Sequence, residues 1–178
     1  MPAVYNRDLM REYLAKIDTD TTGKRWDVTP LFADRASFTA LVEDLARPFR
    51  DEKIDVVVAI DALGFILGTA VANALAVGLV PARKSGKLPV DSVAVEFIDY
   101  SGTRKALEMR TDALGPGMRV LLVDEWIETG AQAAAAIDLV ERLGARIVGI
   151  ATINVDSNPR TEEICTAYRV HSVWADDT

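Results

Sequence analysis

Hydrophobic positions along this chain follow two patterns that alternate over most of its length. Short runs rich in Val, Ile and Leu are typical of buried strands. Such runs lie at Ile54–Ile60, Val77–Ala82, Val120–Val123, Ile147–Val155 and Val170–Trp174. Longer stretches with apolar residues every three or four positions predict helices. Such stretches lie at Leu9–Ile17, Phe38–Phe49, Gly64–Leu75 and Gln132–Leu143. Strands that alternate with helices predict an α/β fold, with a mostly parallel central sheet flanked by helices.

The stretch from Arg83 to Met109 breaks this pattern between two core strands. It is mostly polar, with turn signals at Ser85–Pro89 and Tyr100–Thr103. Two alternating segments, Val93–Ile98 and Lys105–Met109, flank the second turn and predict a β-hairpin. A long insertion between core elements is typical of a lid or a binding loop, so residues 83–109 are predicted to form a flexible loop.

Composition favours a globular protein and excludes several classes. A chain of 178 residues with 49% apolar residues suits one domain over residues 1–178 with a sizeable core. The apolar run Ala62–Val80 contains glycines and a turn signal near Ala76, so it predicts a helix and a strand and not a membrane span. The net charge of −7 argues against general binding to nucleic acid or anionic membranes. The single cysteine, Cys165, and a polar start without a signal-peptide pattern predict a cytoplasmic location.

The segment Val120–Gln132 carries the strongest chemical signal. An apolar strand ends in Asp124 and Glu125, and a turn with Thr129 and Gly130 leads into a helix. Adjacent carboxylates at the carboxyl end of a parallel strand can bind ribose hydroxyls, and the turn with its helix N-terminus can bind a phosphate. Mg²⁺ usually takes one or two carboxylates plus substrate oxygens, so it can be held here through the substrate, with Asp124 as the candidate ligand. The simpler alternative, a strand that merely ends in solvated acids, is disfavoured by the turn and helix that follow.

The same segment resembles the phosphoribosyl-pyrophosphate motif of the type I phosphoribosyltransferase family. Further segments resemble the adenine phosphoribosyltransferases within that family, in the same order along the chain. These segments are Asp27–Leu31 with Ala36–Phe38 (an N-terminal hood), Val57–Phe65 (the pyrophosphate loop), Leu79–Pro89 (the start of a catalytic loop) and Tyr100 with Ala106–Met109 (its end). The resemblance covers most of the chain from Arg25 to Val155. It implies the type I phosphoribosyltransferase fold, with a small hood over residues 1–35 and a flexible catalytic loop over residues 83–109.

The resemblance also implies a reaction and a set of residues. The 5-phosphoribosyl group of phosphoribosyl pyrophosphate passes to a nucleobase, with adenine expected, Mg²⁺ as the cofactor and AMP and pyrophosphate as products. The implied catalytic residues are Asp99 as a proton handler at the base, Asp124 and Glu125. The implied substrate-binding residues are Arg25, Trp26, Asp61, Ala62, Leu63, Gly64, Arg83, Lys84, Lys87, Tyr100, Glu128, Thr129, Gly130, Ala131 and Gln132. The family further implies a non-proline cis peptide in the pyrophosphate loop, a homodimer, and no nucleic-acid or membrane partner.

The chain departs from the family pattern at several of these positions. Leu63 stands where the pattern has arginine, so one cation near the pyrophosphate is absent. The hood pattern has an aromatic residue followed by arginine, whereas here Arg25 precedes Trp26. Asp99 replaces a glutamate. In the phosphate turn, Ala131 replaces glycine and Gln132 replaces threonine, although a glutamine amide can still donate. Glu128 is expected to point away from a bound phosphate.

Three alternatives remain beside the adenine enzyme. A phosphoribosyltransferase for another base is the main one, because Leu63, Arg25 and Trp26 alter the site. A regulatory protein that binds phosphoribosyl pyrophosphate without catalysis is disfavoured by the retained loop and by the lack of a helix-turn-helix extension. An α/β domain with no nucleotide would require all the ordered matches to be coincidence. Cys165 and His171 have no evident catalytic partner and are predicted to be inert.

Overall fold

The computed structural model describes residues 12–23, 25–99 and 101–174. Tyr100 and the first part of the predicted helix Leu9–Ile17 lie outside the described residues. The chain divides into two compact units, one up to Asp44 and one from Leu45 onward, which are described separately. The expectation of a single domain over residues 1–178 stays a prediction.

The first unit contains short helical segments joined by a polar loop, whose ends are bridged by Asp18 and Asp27. A 3-10 helix spans Glu12–Lys16, helix α1 spans Thr29–Ala33, and helix α2 spans Arg35–Ala46, running past the end of this unit. An isolated antiparallel bridge joins Asp18 to Asp27. The Asp27 carboxylate accepts hydrogen bonds from the backbone N–H and hydroxyl of Thr29, at 2.9 and 2.6 Å. This contact satisfies the backbone N–H of the first residue of α1, and a proline in the first turn also suits a helix start.

The second unit is built on a seven-stranded sheet. Its strands are β1 (Val56–Ile60), β2 (Gly78–Lys84), β3 (Ser92–Ile98), β4 (Arg104–Arg110), β5 (Arg119–Val123), β7 (Arg146–Thr152) and β9 (Val170–Ser172). They lie in the order β3-β4-β2-β1-β5-β7-β9. The neighbouring pairs β2–β1, β1–β5, β5–β7 and β7–β9 are parallel. Strand β4 pairs antiparallel with β2 and with β3. The predicted mostly parallel α/β sheet is confirmed.

A second, two-stranded parallel sheet pairs β6 (Trp126–Ile127) with β8 (Asn154–Val155). The sequence predicted a single strand over Ile147–Val155, and this prediction was wrong in one respect. The chain leaves the main sheet after Thr152, and the Ile153 N–H donates to the Glu125 carbonyl at 3.1 Å. The two polar residues of this run, Thr152 and Asn154, lie where the chain changes partner, and they were the available signal for the break.

Three helices of the second unit, α3 (Leu63–Ala74), α4 (Ala131–Arg142) and α5 (Pro159–Ala167), connect parallel strands, and a 3-10 helix (Arg47–Phe49) precedes β1. All five residues of β1 are buried, which suits the centre of a sheet covered on both faces. A Cβ on Gly68 would lie 2.4 Å from the Ala59 Cβ, so α3 approaches β1 closely only because residue 68 is glycine. No helix in the described part of the chain is long and apolar enough to cross a membrane.

The stretch 83–109 forms an ordered part of the sheet over most of its length. Strands β3 and β4 pair from Ser92↔Arg110 to Ile98↔Arg104, which confirms the predicted hairpin. Strand β4 also pairs with the end of β2, where Arg83 faces Glu108. The base of the expected catalytic loop is therefore paired with the core sheet, whereas the connection over residues 85–91 and the turn between β3 and β4 lie outside the strands. Its flexibility stays a prediction.

Candidate active site

The carboxyl ends of three adjacent strands bring distant segments of the sequence together. Asp61 follows β1, Lys84 ends β2 and Asp124 follows β5, and β1 pairs with both of the others. The backbone N–H of Asp61 donates to the Ala82 carbonyl at 3.0 Å, and that of Asp124 donates to the Ala151 carbonyl at 3.3 Å. The fold thus brings these three predicted donor-site segments to one edge of the sheet, where parallel sheets bind ligands.

The segment Asp61–Gly64 links β1 to the N-terminus of α3. The Asp61–Ala62 peptide bond is cis, as the family resemblance implied. The Asp61 carboxylate faces the Lys84 ammonium at 3.8 Å and the Lys84 backbone N–H at 3.4 Å. Ala62 is exposed and Leu63 begins α3, so backbone N–H groups at the start of this helix can face an anion.

Gly64 allows this helix N-terminus to approach the acidic pair. A Cβ at Gly64 would lie 2.7 Å from Asp124 Oδ1 and 3.1 Å from the Val123 carbonyl oxygen. Asp124 is buried, at 5% exposure, and its Oδ1 accepts the backbone N–H of Glu125 at 3.0 Å. Glu125 itself is half-buried. The close packing fixes one carboxylate in place and leaves the next partly accessible.

The predicted phosphate turn runs from Glu128 into the start of α4. Gly130 adopts a left-handed conformation with φ of 72°, which favours glycine. A Cβ there would also lie 3.1–3.2 Å from side-chain atoms of Arg160, Thr161 and Ile164. The Thr129 hydroxyl oxygen accepts the Ala131 N–H at 3.3 Å. The turn is therefore shaped by its own glycine and packed against α5.

Helix α5 supports this turn and was not predicted from the sequence. It begins with a capping box, in which the Asn158 side chain accepts the Thr161 N–H and the Thr161 hydroxyl accepts the Asn158 N–H. The Asn158 amide also donates to the Glu128 carbonyl at 2.8 Å. The Asn-Pro pair at 158–159 was the available signal, since asparagine favours the N-cap and proline the first helical position. Few apolar residues follow it, so the periodic signal was weak.

Gln132 joins the phosphate turn to the pyrophosphate loop. Its Nε2 donates to the backbone carbonyl of Asp61 at 3.1 Å. These residues are 71 positions apart in sequence. The sequence predicted that the Gln132 amide would donate to a phosphate, and the structure shows that it also has a protein acceptor.

Of the predicted cations, Arg83 lies in β2 and Lys87 lies in the turn that follows, and hydrogen bonds from β2 and β4 hold this turn. Arg83 Nη1 donates to the Lys87 carbonyl at 2.9 Å. Glu108 Oε1 accepts the backbone N–H groups of Lys87 at 2.7 Å and Leu88 at 2.9 Å. The Lys87 side chain is exposed, and the Lys87 backbone is held by hydrogen bonds with Arg83 and Glu108.

Glu108 is a buried carboxylate that was not predicted from the sequence as a site residue. It is 5% exposed, and Ser92 Oγ lies 3.3 Å from its Oε2. Burial alone would raise the pKa of Glu108, but hydrogen bonds from Leu88, Lys87, Gly86 and Ser92 outweigh it and hold the pKa below its usual value. A glutamate within the buried run Leu107–Met109 was the available signal, because buried charges usually have dedicated partners.

Asp99, the residue predicted to handle a proton at the nucleobase, lies in the turn between β3 and β4. Its Oδ1 accepts the backbone N–H groups of Ser101 at 2.9 Å and Thr103 at 3.0 Å, and the Ser101 hydroxyl at 2.6 Å. Its Oδ2 pairs with the Lys105 ammonium. The Lys105 contact, then the Ser101 hydroxyl and the backbone N–H groups, hold the pKa of Asp99 far below its usual value. These contacts favour a turn-forming role, and the proton-handling role stays a prediction.

Two other residues predicted to contact the nucleobase, Arg25 and Trp26, lie in the first unit. The Arg25 carbonyl accepts the Thr21 hydroxyl at 2.7 Å, and Trp26 is 42% exposed. Tyr100 is outside the described residues. The acceptor site predicted from the hood therefore stays a prediction.

Cys165 and His171 show no sign of activation. Burial raises the pKa of the Cys165 thiol, which disfavours the reactive thiolate. Burial, followed by the nearby Arg47 and Arg169, lowers the pKa of His171, whose ring packs edge-on against Phe49 at 6.4 Å. The expectation that neither residue is catalytic stays a prediction.

The chemistry of the acidic edge fits a magnesium ion brought by a substrate. Among residues 12–23, 25–99 and 101–174, no group of three or more His, Cys, Asp or Glu side chains could hold a metal ion. Mg²⁺ needs only one or two protein carboxylates when phosphate and hydroxyl oxygens complete its shell. Asp124 and Glu125 are the residues that would hold it.

The sequence and the fold are similar to those of known proteins. A family model described as phosphoribosyl transferase domain matches residues 32–177. The adenine phosphoribosyltransferase of Dinoroseobacter shibae is 48% identical over 147 residues, which are 82% of this chain and 82% of that protein. The adenine phosphoribosyltransferase structure from Rhodothermus marinus has a TM-score of 0.86 and 33% identity, covering 94% of this chain and 98% of that one. The Giardia lamblia APRTase complexed with 9-deazaadenine has a TM-score of 0.81 and 31% identity, covering 90% and 95%.

Proposed function

The chain belongs to the phosphoribosyl transferase domain family, and from this premise we propose that it transfers the 5-phosphoribosyl group of phosphoribosyl pyrophosphate to adenine. The products are AMP and pyrophosphate, and the reaction serves purine salvage. The observation that carries the proposal is the meeting of Asp61, Asp124 and Gln132 at one edge of the sheet. At this edge, carboxylates that can bind ribose hydroxyls lie beside two turns that can bind phosphate groups. A phosphoribosyl donor requires both.

The donor is held by groups of different chemistry. Asp124 and Glu125 accept hydrogen bonds from the ribose hydroxyls. The turn Glu128–Gln132 receives the 5′-phosphate on backbone N–H groups at the start of α4. The pyrophosphate lies at the N-terminus of α3, with Lys84 and Lys87 supplying positive charge. Leu63 contributes no charge, so these lysines carry more of the electrostatic attraction than in a chain with arginine at that position.

The reaction breaks the bond between ribose C1 and a pyrophosphate oxygen and forms a bond from C1 to a ring nitrogen of adenine. Pyrophosphate leaves with the bonding electrons, and the proton of that nitrogen passes to the departing pyrophosphate or to solvent. Positive charge develops on the ribose, and the buried Asp124 beside it is positioned to stabilise this charge. The loop over residues 83–109 is the candidate lid at this edge, and it would limit access of water, which otherwise hydrolyses the donor.

Magnesium dependence is part of the proposal. When bound, the ion neutralises charge on the departing pyrophosphate. Asp124 and Glu125 would hold it, directly or through ribose hydroxyls and water. We also propose a cytoplasmic homodimer, on the strength of the family resemblance and the single cysteine.

A different base is the second candidate, and one observation favours it. Arg25 and Trp26 reverse the family order in the hood, and the family match begins only at residue 32. A base pocket with a changed aromatic position can prefer another purine, because stacking and edge contacts both depend on where that ring lies.

A panel of bases tests the proposal. Purified protein with Mg²⁺ and phosphoribosyl pyrophosphate is incubated with adenine, hypoxanthine, guanine, xanthine, uracil or orotate, and nucleotide formation is measured. Adenine should give the highest kcat/KM, and the double variant Asp124→Asn, Glu125→Gln should show no transfer. A preference for another base would select the second candidate. Donor binding by calorimetry without transfer to any base would identify a regulatory protein.

A further inference from the structure

We propose that Gln132 is a positioning residue that couples binding of the 5′-phosphate to binding of the pyrophosphate. The proposal rests on the proposed function, because it assigns the turn Glu128–Gln132 to one phosphate and the loop Asp61–Gly64 to the other. It concerns the amide of Gln132, which stands where the family pattern has threonine.

The contact itself links the two subsites without intermediate residues. Gln132 is in the first turn of α4, and its Nε2 donates to the Asp61 carbonyl at 3.1 Å. Asp61 is held further by its own N–H on the Ala82 carbonyl and by its carboxylate near Lys84. A displacement of the phosphate turn is therefore transmitted to the pyrophosphate loop and to the lysine beside it.

The amide chemistry allows one side chain to serve both subsites. A glutamine amide carries two N–H donors, and the contact with Asp61 uses one of them. The second can donate to an oxygen of a phosphate bound at the N-terminus of α4. A threonine hydroxyl has a single hydrogen, so it can donate to the phosphate or to the Asp61 carbonyl, but not to both.

A side chain shared in this way produces coupling between the ligands. When a phosphate fixes the Gln132 rotamer, the Asp61 carbonyl gains an ordered donor, and the pyrophosphate loop loses freedom before its own ligand arrives. By thermodynamic linkage, pyrophosphate must favour 5′-phosphate binding by the same factor. One net hydrogen bond corresponds to a change of about three- to tenfold in this factor.

Calorimetry with the two halves of the donor tests the proposal. Ribose 5-phosphate is titrated with and without saturating pyrophosphate in Mg²⁺, and the ratio of the two Kd values is the coupling factor. Gln132→Met keeps the length but removes both donors, and Gln132→Thr keeps one. The coupling factor should fall about three- to tenfold in both variants, while Gln132→Thr should retain most of its affinity for ribose 5-phosphate alone.

A matched control lies on the same helix. Asp138→Asn removes an exposed ion pair with Arg142 and should leave the coupling factor unchanged. Equal coupling in wild type, Gln132→Met and Gln132→Thr would overturn the proposal, even if thermal stability fell. If the wild type binds neither ribose 5-phosphate nor pyrophosphate, the proposed function fails as well, so the two failures are distinguishable.

Discussion

Small residues in the donor site matter mainly because they leave room for neighbouring side chains. Gly64 is the clearest case, because its missing side chain gives Asp124 its place beside the N-terminus of α3. A buried carboxylate is costly without such close partners. The identity of residue 64 therefore contributes to the site as directly as the acid itself.

Gly64→Ala should lower kcat/KM by about a hundredfold, since a shift of roughly 1 Å at a reacting group can have that effect. The added Cβ would lie 2.7 Å from Asp124 Oδ1 and must displace it. Alanine suits the helix itself, so the loss would come from crowding. Steady-state kinetics checks this, with Gly115→Ala as control, because a Cβ there meets only Met118 Sδ at 3.8 Å. A Gly64→Ala variant with the kcat/KM of the wild type would contradict the prediction that crowding displaces Asp124.

Asp99→Asn should reduce kcat/KM by less than about tenfold. Asparagine can still accept the backbone N–H groups of Ser101 and Thr103. Loss of a general acid or base usually lowers the rate about 10²- to 10⁴-fold. Kinetics over a range of pH decides between the roles, with Asp91→Asn at the start of the hairpin as control. A loss of a hundredfold or more, with a flattened pH profile, would restore the proton-handling role.

At the scale of elements, two supports outside the predicted motifs shape the donor site. Helix α5 holds the phosphate turn through Asn158. Strand β4 holds the lysine turn through Glu108, which accepts two backbone N–H groups from a segment about twenty positions earlier in sequence. The backbone of the turn that contains Lys87 is thereby held against β4.

Glu108→Gln should destabilise the fold by about 1 kcal/mol at pH 7, because charged acceptors form stronger hydrogen bonds than neutral ones. The folded-state pKa of Glu108 is lowered, so its stabilisation is present above the unfolded value of about 4.5 and is lost as pH falls below it. Urea unfolding at several pH values should show wild type and variant converging below about pH 4. Glu96→Gln, on the exposed face of β3, is the control. A pH-independent difference would refute the assignment.

At the scale of the whole sheet, binding and stabilising charges occupy opposite ends of the strands. The ligand-binding edge lies at the carboxyl ends of β1, β2 and β5. At the amino ends, Asp55 precedes β1 and pairs with Arg119 at the start of β5, with Arg119 Nη2 2.7 Å from Asp55 Oδ1 and Nε 2.9 Å from Oδ2. This separation predicts that charge changes at the amino ends affect stability without affecting catalysis.

Asp55→Asn should weaken acid resistance while leaving activity at pH 7 unchanged. Hydrogen bonds from the Arg119 side chain and backbone lower the pKa of Asp55 from 3.8 to about 2. Its contribution is therefore present above about pH 4 and is lost as pH falls toward 2. Between those values, the unfolding midpoint of wild type should fall more steeply than that of the variant. Parallel curves, or a change in kcat/KM, would contradict the prediction.

The chain alone determined the order of the main strands and helices, because hydrophobic period and local turn residues are properties of consecutive positions. It also determined the donor motif, since the segment from Val120 to Gln132 contains strand, acids, turn and helix in one stretch. The polar helix α5 and the change of partner after Thr152 escaped prediction, because neither leaves a strong periodic signal.

Tertiary structure decided which of these residues touch. The contacts of Gly64 with Asp124, Gln132 with Asp61, and Glu108 with the lysine turn join positions far apart in the chain. Such contacts depend on strand order and register, which place β1 between β2 and β5 and Glu108 opposite Arg83. A single sequence carries the identity of each donor-site residue, but only the packed sheet fixes the distances through which those residues act together.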